Sequence, residues 1–300
     1  MTTTTTTNPA SSSSLSKPEQ DALKASIFQR LHPRVYLERF LAENVRPDGR
    51  SLGCNADSAW RDVSVNVGSI STADGSALVR LGGTTVVCGV KAEIAEPELD
   101  HAGDGFLVPN LDLPAMCSPR FKPGPPSEDA QVLSDRLNEA LVVSNILPLT
   151  SLCIHPGKAA WVLYVDATCI NYDGNVFDAA LLAMVAALKN TTLPKATFDE
   201  ETGRTTCSSS RKFRTPLGIT RTPIAMSFGV FDSKHILPDP TSFEEPLLDT
   251  TVSILVDSSS GALISVSQLG LLDGDGDGDA LLRTCIASAG RRRDVVAKYI

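Results

Sequence analysis

The chain has 300 residues, 42% of them hydrophobic, and a formal net charge of −8. That length and apolar content can bury the core of one large domain or two modest ones. The negative balance argues against a free-standing nucleic-acid binder, which carries a basic surface, and leaves open RNA contact through a local patch or through partners. No apolar run approaches the ~18 residues a membrane helix needs, so no membrane partner is expected. Cysteines stand at 54, 88, 117, 153, 169, 207 and 285, without a C-x-x-C pair and without histidines at zinc spacing. Their number is odd and no signal peptide is read, so they are expected to be reduced, mostly buried thiols of a cytosolic or nuclear protein.

In chain order, residues 1–16 form a Thr/Ser tail, "TTTTTT" then "SSSS", without apolar groups to bury, and are expected to be disordered. Ser16 reads as an N-cap ahead of Lys17-Pro18. Helical stretches over 18–31 and 34–43 follow, the second with Val35, Tyr36, Phe40 and Leu41 on its apolar side. They open a helical extension and lead-in over 17–58. From 62 the period changes to strand alternation at Val63, Val65 and Val67, then "SALVRL" and "TTVVCGVKAEI" after a turn at Ala73-Asp74-Gly75. "CSPRFKPGPPSED" must be a loop, and Val132, Leu133, Leu137 and Leu141 at helical spacing mark a helix from about 128 to 145.

"AAWVLYVDATCIN" is a long strand. An Asp-Gly turn leads from it into a helix over 176–189 that is apolar almost all round, as for a helix in the middle of a domain. Asn175 reads as its N-cap and Asp178 suits its first turn. Residues 191–217 read as a polar connector between a first half over 59–190 and a second over 218–300. "PIAMSFGVF", "TVSILVD" and "ALISVSQLG" give further strands with a hairpin turn at Asp257–Gly261, and a last helix covers about 279–298. The order predicts a mixed α/β (α+β) fold with mostly antiparallel sheets and intervening helices, in two similar halves.

Little in this pattern carries chemistry on its own. In "DGDGDGD", Asp273, Asp275, Asp277 and Gly278 match the start of an EF-hand loop, but position twelve would be Thr284, which has no carboxylate to give; the stretch reads as a solvated loop. His32, His101, His155 and His235 share no helical face. Arg291-Arg292-Arg293 reads as a solvated basic face. Asp239, Glu244 and Glu245 form one carboxylate cluster, and paired carboxylates can divide acid and base roles or hold a metal. As residues alone, they read as surface acidity. No metal or cofactor is expected.

Four segments together resemble the RNase PH family: "ENVRPDGR" (43–50), "GSALVRLGGTTVVCGVKAEI" (75–94), "DATCINYDGNVFDAALLAMVAAL" (166–188) and "DPTSFEE" (239–245). More closely they resemble the non-catalytic ring subunits of the eukaryotic RNA exosome, over roughly residues 36–298. The resemblance implies an RNase PH-like fold of two mixed sheets with helices between them. It implies assembly with other RNase PH-type ring subunits and with S1/KH-type cap subunits, around a channel that threads RNA, in nucleus, nucleolus and cytoplasm.

Active members phosphorolyse RNA and hold inorganic phosphate with a Thr-Arg pair directly after Asp-Gly-Gly, at a helix start. Here Asp173 and Gly174 are kept, Val176 stands in the threonine position and Phe177 in the arginine position. A guanidinium grips phosphate through charge and paired hydrogen bonds, and phenylalanine offers neither. What remains is a bare helix N-terminus, a weak substitute. Asp239 and Glu245 match the two acids of the active motif and are not expected to confer activity. Arg120 and Lys122, in the Pro-Gly loop, and Arg136, on the helix whose family counterpart faces RNA, are the candidates for the RNA path. The implied function is a structural, catalytically inactive subunit of the exosome core ring. The rivals are an active phosphate-dependent 3′-to-5′ exoribonuclease and an unrelated metabolic α/β enzyme acting through Asp239 and Glu245.

Overall fold

A computed structural model describes residues 17–54, 56–208, 214–271 and 278–300. The Thr/Ser tail and the Ser16 cap, and Asp273, Asp275 and Asp277, lie outside these residues. The chain divides into two units after Gly49. In the first, α1 (Lys17–Leu31) and α2 (Pro33–Ala42) are parted at His32. Pro33 sits in the first turn of α2, where its missing N–H costs nothing. A ladder of rings links the two helices: Phe28 to Tyr36 at 6.2 Å and Tyr36 to Phe40 at 4.9 Å, with the Arg39 guanidinium 4.7 Å over Phe28. The buried side of α2 is Leu37 and Leu41, whereas Val35, expected there, is 41% exposed.

The second unit begins at Arg50 and holds two sheets. In the first, β1 (Val63–Val67), β2 (Gly75–Leu81), β3 (Thr84–Ala95) and β6 (Ala159–Asn171) are antiparallel neighbours, β5 (Cys153–His155) pairs with β6, and β4 (Phe106–Asp112) runs parallel to β6 at the edge. The sequence reading passes over β4 because Pro109 sits at its centre; an edge strand tolerates a proline, which removes no ladder bond on its free side. The second sheet has the order β12-β11-β13-β14, with β11 (Pro223–Phe231), β12 (His235–Pro238), β13 (Thr250–Asp257) and β14 (Leu263–Leu269) all antiparallel. The predicted hairpin turn is closed by the Gly261 amide on the Asp257 carbonyl. Between 191 and 217 the polar segment carries two short ribbons, β7 (Thr192–Pro194) with β10 (Arg214–Pro216), and β8 (Ala196–Asp199) with β9 (Arg204–Cys207).

Helix α4 (Val176–Asn190) lies between the sheets, against β2 and β3 on one side and β11 on the other, and Val176 through Leu188 are all buried. This is why its sequence is apolar all round. Helix α3 (Glu128–Ser144) starts on Ser127, whose Oγ accepts the Ala130 amide, and ends on left-handed Asn145; it packs on β4 and β14. Helix α5 (Gly278–Val296) covers β11 and β13, and Thr284, inside it, gives its hydroxyl to the Ala280 carbonyl. In the expected basic face, Arg292 departs: it is buried, with its guanidinium 5.3 Å from the Trp60 ring and Nη2 donating to the Arg61 carbonyl. Five of the cysteines are buried, Cys153 is half-buried and Cys207 is exposed, all as free thiols.

A core helix packed on two sheets cannot collapse onto a hole from either side. Leu181→Ala, at a site with no exposure, is expected to cost about 2–5 kcal/mol, read from the shift in a urea unfolding midpoint; a cost below about 1 kcal/mol would contradict this packing.

Candidate functional site

The turn that leads from β6 into α4 is clamped to the loop after β12. Gly174 has φ +78, and a Cβ there would lie 2.5 Å from both the Thr241 carbonyl carbon and the Ser242 amide nitrogen. Only glycine permits that approach of two backbones. The Asp173 carboxylate accepts from Ser242 Oγ at 3.0 Å, and Thr84 Oγ1 ties the turn to β3 by accepting the Asp173 amide and donating to the Gly174 carbonyl.

Arg61, just before β1, holds the two loops from below. Nε and Nη2 donate to Asp239 Oδ2 and Oδ1 at 2.7 and 2.6 Å, a bidentate pair, while Nη1 donates to the Asp173 carbonyl at 2.7 Å. Asp239 is 1% exposed and left-handed, with φ 52. Burial favours its neutral form, yet the hydrogen bonds and charge of Arg61 outweigh this and hold its carboxyl below the usual range. Arg50 adds a bond from Nη1 to the Asp239 carbonyl at 2.9 Å and lies 3.8 Å from Glu244, itself 1% exposed. The acids at 239 and 244 are therefore not surface acidity. They are buried because arginines distant in sequence neutralise them.

Asn175 is left-handed, with φ 50, and its side chain does not cap α4. Instead Nδ2 donates to Asp239 Oδ1 at 2.7 Å and to Asp178 Oδ2 at 2.8 Å, and its amide donates to Glu245 Oε1 at 2.7 Å. The other Glu245 oxygen accepts from the Tyr172 hydroxyl. The start of α4 is thus not bare: Glu245 already supplies it with a carboxylate. Burial pushes the Glu245 carboxyl up, and it pushes Tyr172 up further with the help of the Glu245 charge. Asp178 accepts the Ser227 amide and hydroxyl, each at 2.7 Å, and burial raises it to about 6.

Above this floor opens a cleft of about 340 Å³ between α3, the start of α4 and the second sheet. Val176 and Phe177 are 3% and 6% exposed. The Arg136 guanidinium lies 4.4 Å over the Phe177 ring and donates to Ser253 Oγ at 3.0 Å; burial pulls it below the ordinary arginine value. Arg120 is exposed and paired with Asp129 at 3.2 Å, and Lys122 is exposed. Of the sequence-predicted residues, Arg120, Arg136, Val176, Phe177 and Glu245 line this cleft; Asp173, Gly174 and Asp239 belong to the clamped loops and do not line it, and neither does Lys122. The histidines stay apart, and among the described residues no three His, Cys, Asp or Glu side chains are placed to hold a metal ion. Sequence reasoning misses Arg61, Tyr172 and Ser227. One signal was available for this floor: Asp178 is an acid inside an otherwise apolar helix, which marks a buried polar partner rather than only a first-turn charge.

A mixed two-sheet fold with a phosphate-type turn at a central helix start defines a class, and comparison gives the same one. Residues 59–194 match the RNase PH 3′ exoribonuclease family, domain 1. The chain belongs to the RNase PH family, and its relatives include exosome components. It is 43% identical over 271 residues to exosome complex component rrp43 of Schizosaccharomyces pombe, covering 90% of this chain and 96% of that protein. It is 37% identical over 219 residues to exosome complex component Rrp42 of Thermococcus gammatolerans, covering 73% and 77%. A solved chain of the Archaeoglobus fulgidus exosome with RNA bound to the active site superimposes with TM-score 0.74 at 29% identity, over 91% of this chain and 99% of that one. An unrelated metabolic enzyme is thereby set aside.

Two expectations test this geometry. Asp239→Asn leaves Arg61 charged and buried without its anion, at an expected cost of roughly 3–5 kcal/mol in chemical denaturation; a change under about 1 kcal/mol would contradict a structural role for the pair. Asp178 behaves oppositely with pH. Its folded value, about 6, lies above its ordinary 3.8, so the folded state holds the proton more tightly and this group's contribution to stability falls as pH rises from about 4 to 6. The stability of wild type relative to Asp178→Asn should therefore fall over that window, and a difference independent of pH would show that burial does not govern the group.

Proposed function

We propose that the chain is a structural subunit of the RNA exosome core ring, supports 3′-to-5′ RNA processing and degradation, and holds no catalytic site of its own. The observation that carries the loss of activity is the closed anion position. Where the resemblance puts Thr-Arg, the chain has buried Val176 and Phe177, and the amide at the helix start is already bonded to Glu245. A phosphate ion at that amide would meet the Glu245 carboxylate. Asp239 is held by Arg61 in two hydrogen bonds and has no freedom to exchange protons with a substrate. Phosphorolysis without its attacking anion has no reaction, whatever the acids are.

Membership of the ring draws support from relatives that are exosome components over most of their own length. Its partners in this reading are other RNase PH-type ring subunits, S1/KH-type cap subunits and RNA passing through the assembled channel. The ring position is that of the subunit called exosome component eight, which the segments 153–175 and 237–245 resemble. Of the three candidates for the RNA path, this reading keeps Arg120 and Lys122, which are exposed, while Arg136 is drawn onto Phe177 and Ser253. With a net charge of −8 the free chain has too few cations to hold RNA by counterion release at physiological salt. In this reading the chain works in nucleus, nucleolus and cytoplasm.

Purified chain, incubated with single-stranded RNA and inorganic phosphate, is expected to release no nucleoside diphosphate above a buffer control. Phosphate-dependent release would favour the rival reading, an active exoribonuclease.

A further inference from the structure

The cleft over Phe177 does not end at Arg136. A second cavity of about 110 Å³ continues beyond it, and Arg136 and Phe177 bound both. Together they form a groove between α3 and β14. On the helix bank Val132, Arg136, Glu139 and Val143 follow one another at helical spacing along one stripe, and Val132 and Val143 are 57% and 48% exposed. On the sheet bank stand Ser265, Ser267 and Leu269, the last 55% exposed.

Strand β14 ends the order β12-β11-β13-β14, and among the described residues no strand pairs with its outer side. It is "LISVSQL", seven residues without a charge or a proline. Uncovered edges are ordinarily blunted by charge, proline or shortness, because their free amides and carbonyls template pairing with another chain. This edge has no charge or proline and is seven residues long; a bulge at its Leu263–Ser265 end leaves 265–269 in regular register with β13. Beside it, Arg136 is largely removed from water and makes no ion pair within 4.0 Å among the described residues; its hydrogen bond goes to a serine. A guanidinium so placed favours an incoming carboxylate.

We infer that this groove receives an extended segment of a neighbouring ring subunit, which adds a strand to β14, lays apolar side chains on Val143 and Leu269, and directs a carboxylate to Arg136. The inference rests on the ring reading above. Strand addition draws affinity from main-chain bonds and specificity from alternate side chains, and the groove offers both. RNA fits it less well. The face of Phe177 is already covered by Arg136, so no base can stack there, and two cations, Arg120 and Arg136, set beside Asp129 and Glu139, are too few to hold a phosphate backbone.

The test uses the full chain in a ring reconstituted from its recombinant subunits, with a photoreactive amino acid in place of Ser267. The expected crosslink joins it to a peptide of a neighbouring ring subunit. Leu269→Lys, an exposed change, is expected to leave the thermal midpoint of the free chain unchanged and to raise at least tenfold the partner concentration needed for half-assembly. An intact ring whose crosslink goes to RNA, to a cap subunit or to a second copy of this chain overturns strand docking and leaves ring membership standing. So does an intact ring with no crosslink, or one that assembles normally with Leu269→Lys. Failure of the wild-type chain to enter any ring overturns both.

Discussion

The bidentate pair between Arg61 and Asp239 is the constraint on which the rest of the site depends. Both groups are buried, so each would carry a large desolvation cost alone, and the pair persists because every remaining hydrogen-bonding direction is also used. Arg61 directs its other donors to the Asp173 and Gly174 carbonyls and to Thr84 Oγ1. Asp239 takes the Asn175 amide group as well. Three segments far apart in sequence, before β1, after β6 and after β12, are thereby held at one point. The approach of Gly174 to the backbone of 241–242 follows from that anchoring.

With those loops fixed, the direction of each carboxylate is fixed too. Glu245 is brought to the start of α4, where the helix favours a negative charge. Asp178 turns inward to Ser227 and Asp239 is locked beneath. The amide at the start of α4 is thereby taken by the chain's own Glu245. Arg136, stacked on Phe177, makes no ion pair within 4.0 Å among the described residues, and that is what gives the groove beside β14 a preference for an acidic partner.

Much of the frame was legible in the residues. The all-round apolar pattern of 176–189 gave a buried central helix, and the alternation in 62–94 and the runs in 223–269 gave strands close to their observed bounds. Strand β4 was hidden by Pro109, whose tolerance at an edge depends on the neighbours a strand has, which local pattern does not show. The acids at 239 and 244 looked superficial because Arg50 and Arg61 lie almost two hundred positions away. Arg292 looked solvated because it stands between Arg291, which is exposed, and Arg293, which is half-buried, while Trp60 and the Arg61 carbonyl that bury it lie in another region. Asn175 has the composition of an N-cap, but its left-handed backbone aims the side chain at Asp178 and Asp239. In each case the identity of the residue was informative, and its burial was decided by a partner remote in sequence.

The claim at the centre of this account is that internal carboxylates have closed the anion position. Equilibrium dialysis of the full chain against labelled inorganic phosphate at millimolar concentration tests it without requiring turnover. The expected result is no saturable binding, with bound phosphate rising only as in a protein-free control. Stoichiometric, saturable binding that is lost in Gly174→Ala would place phosphate at the start of α4 and contradict the account.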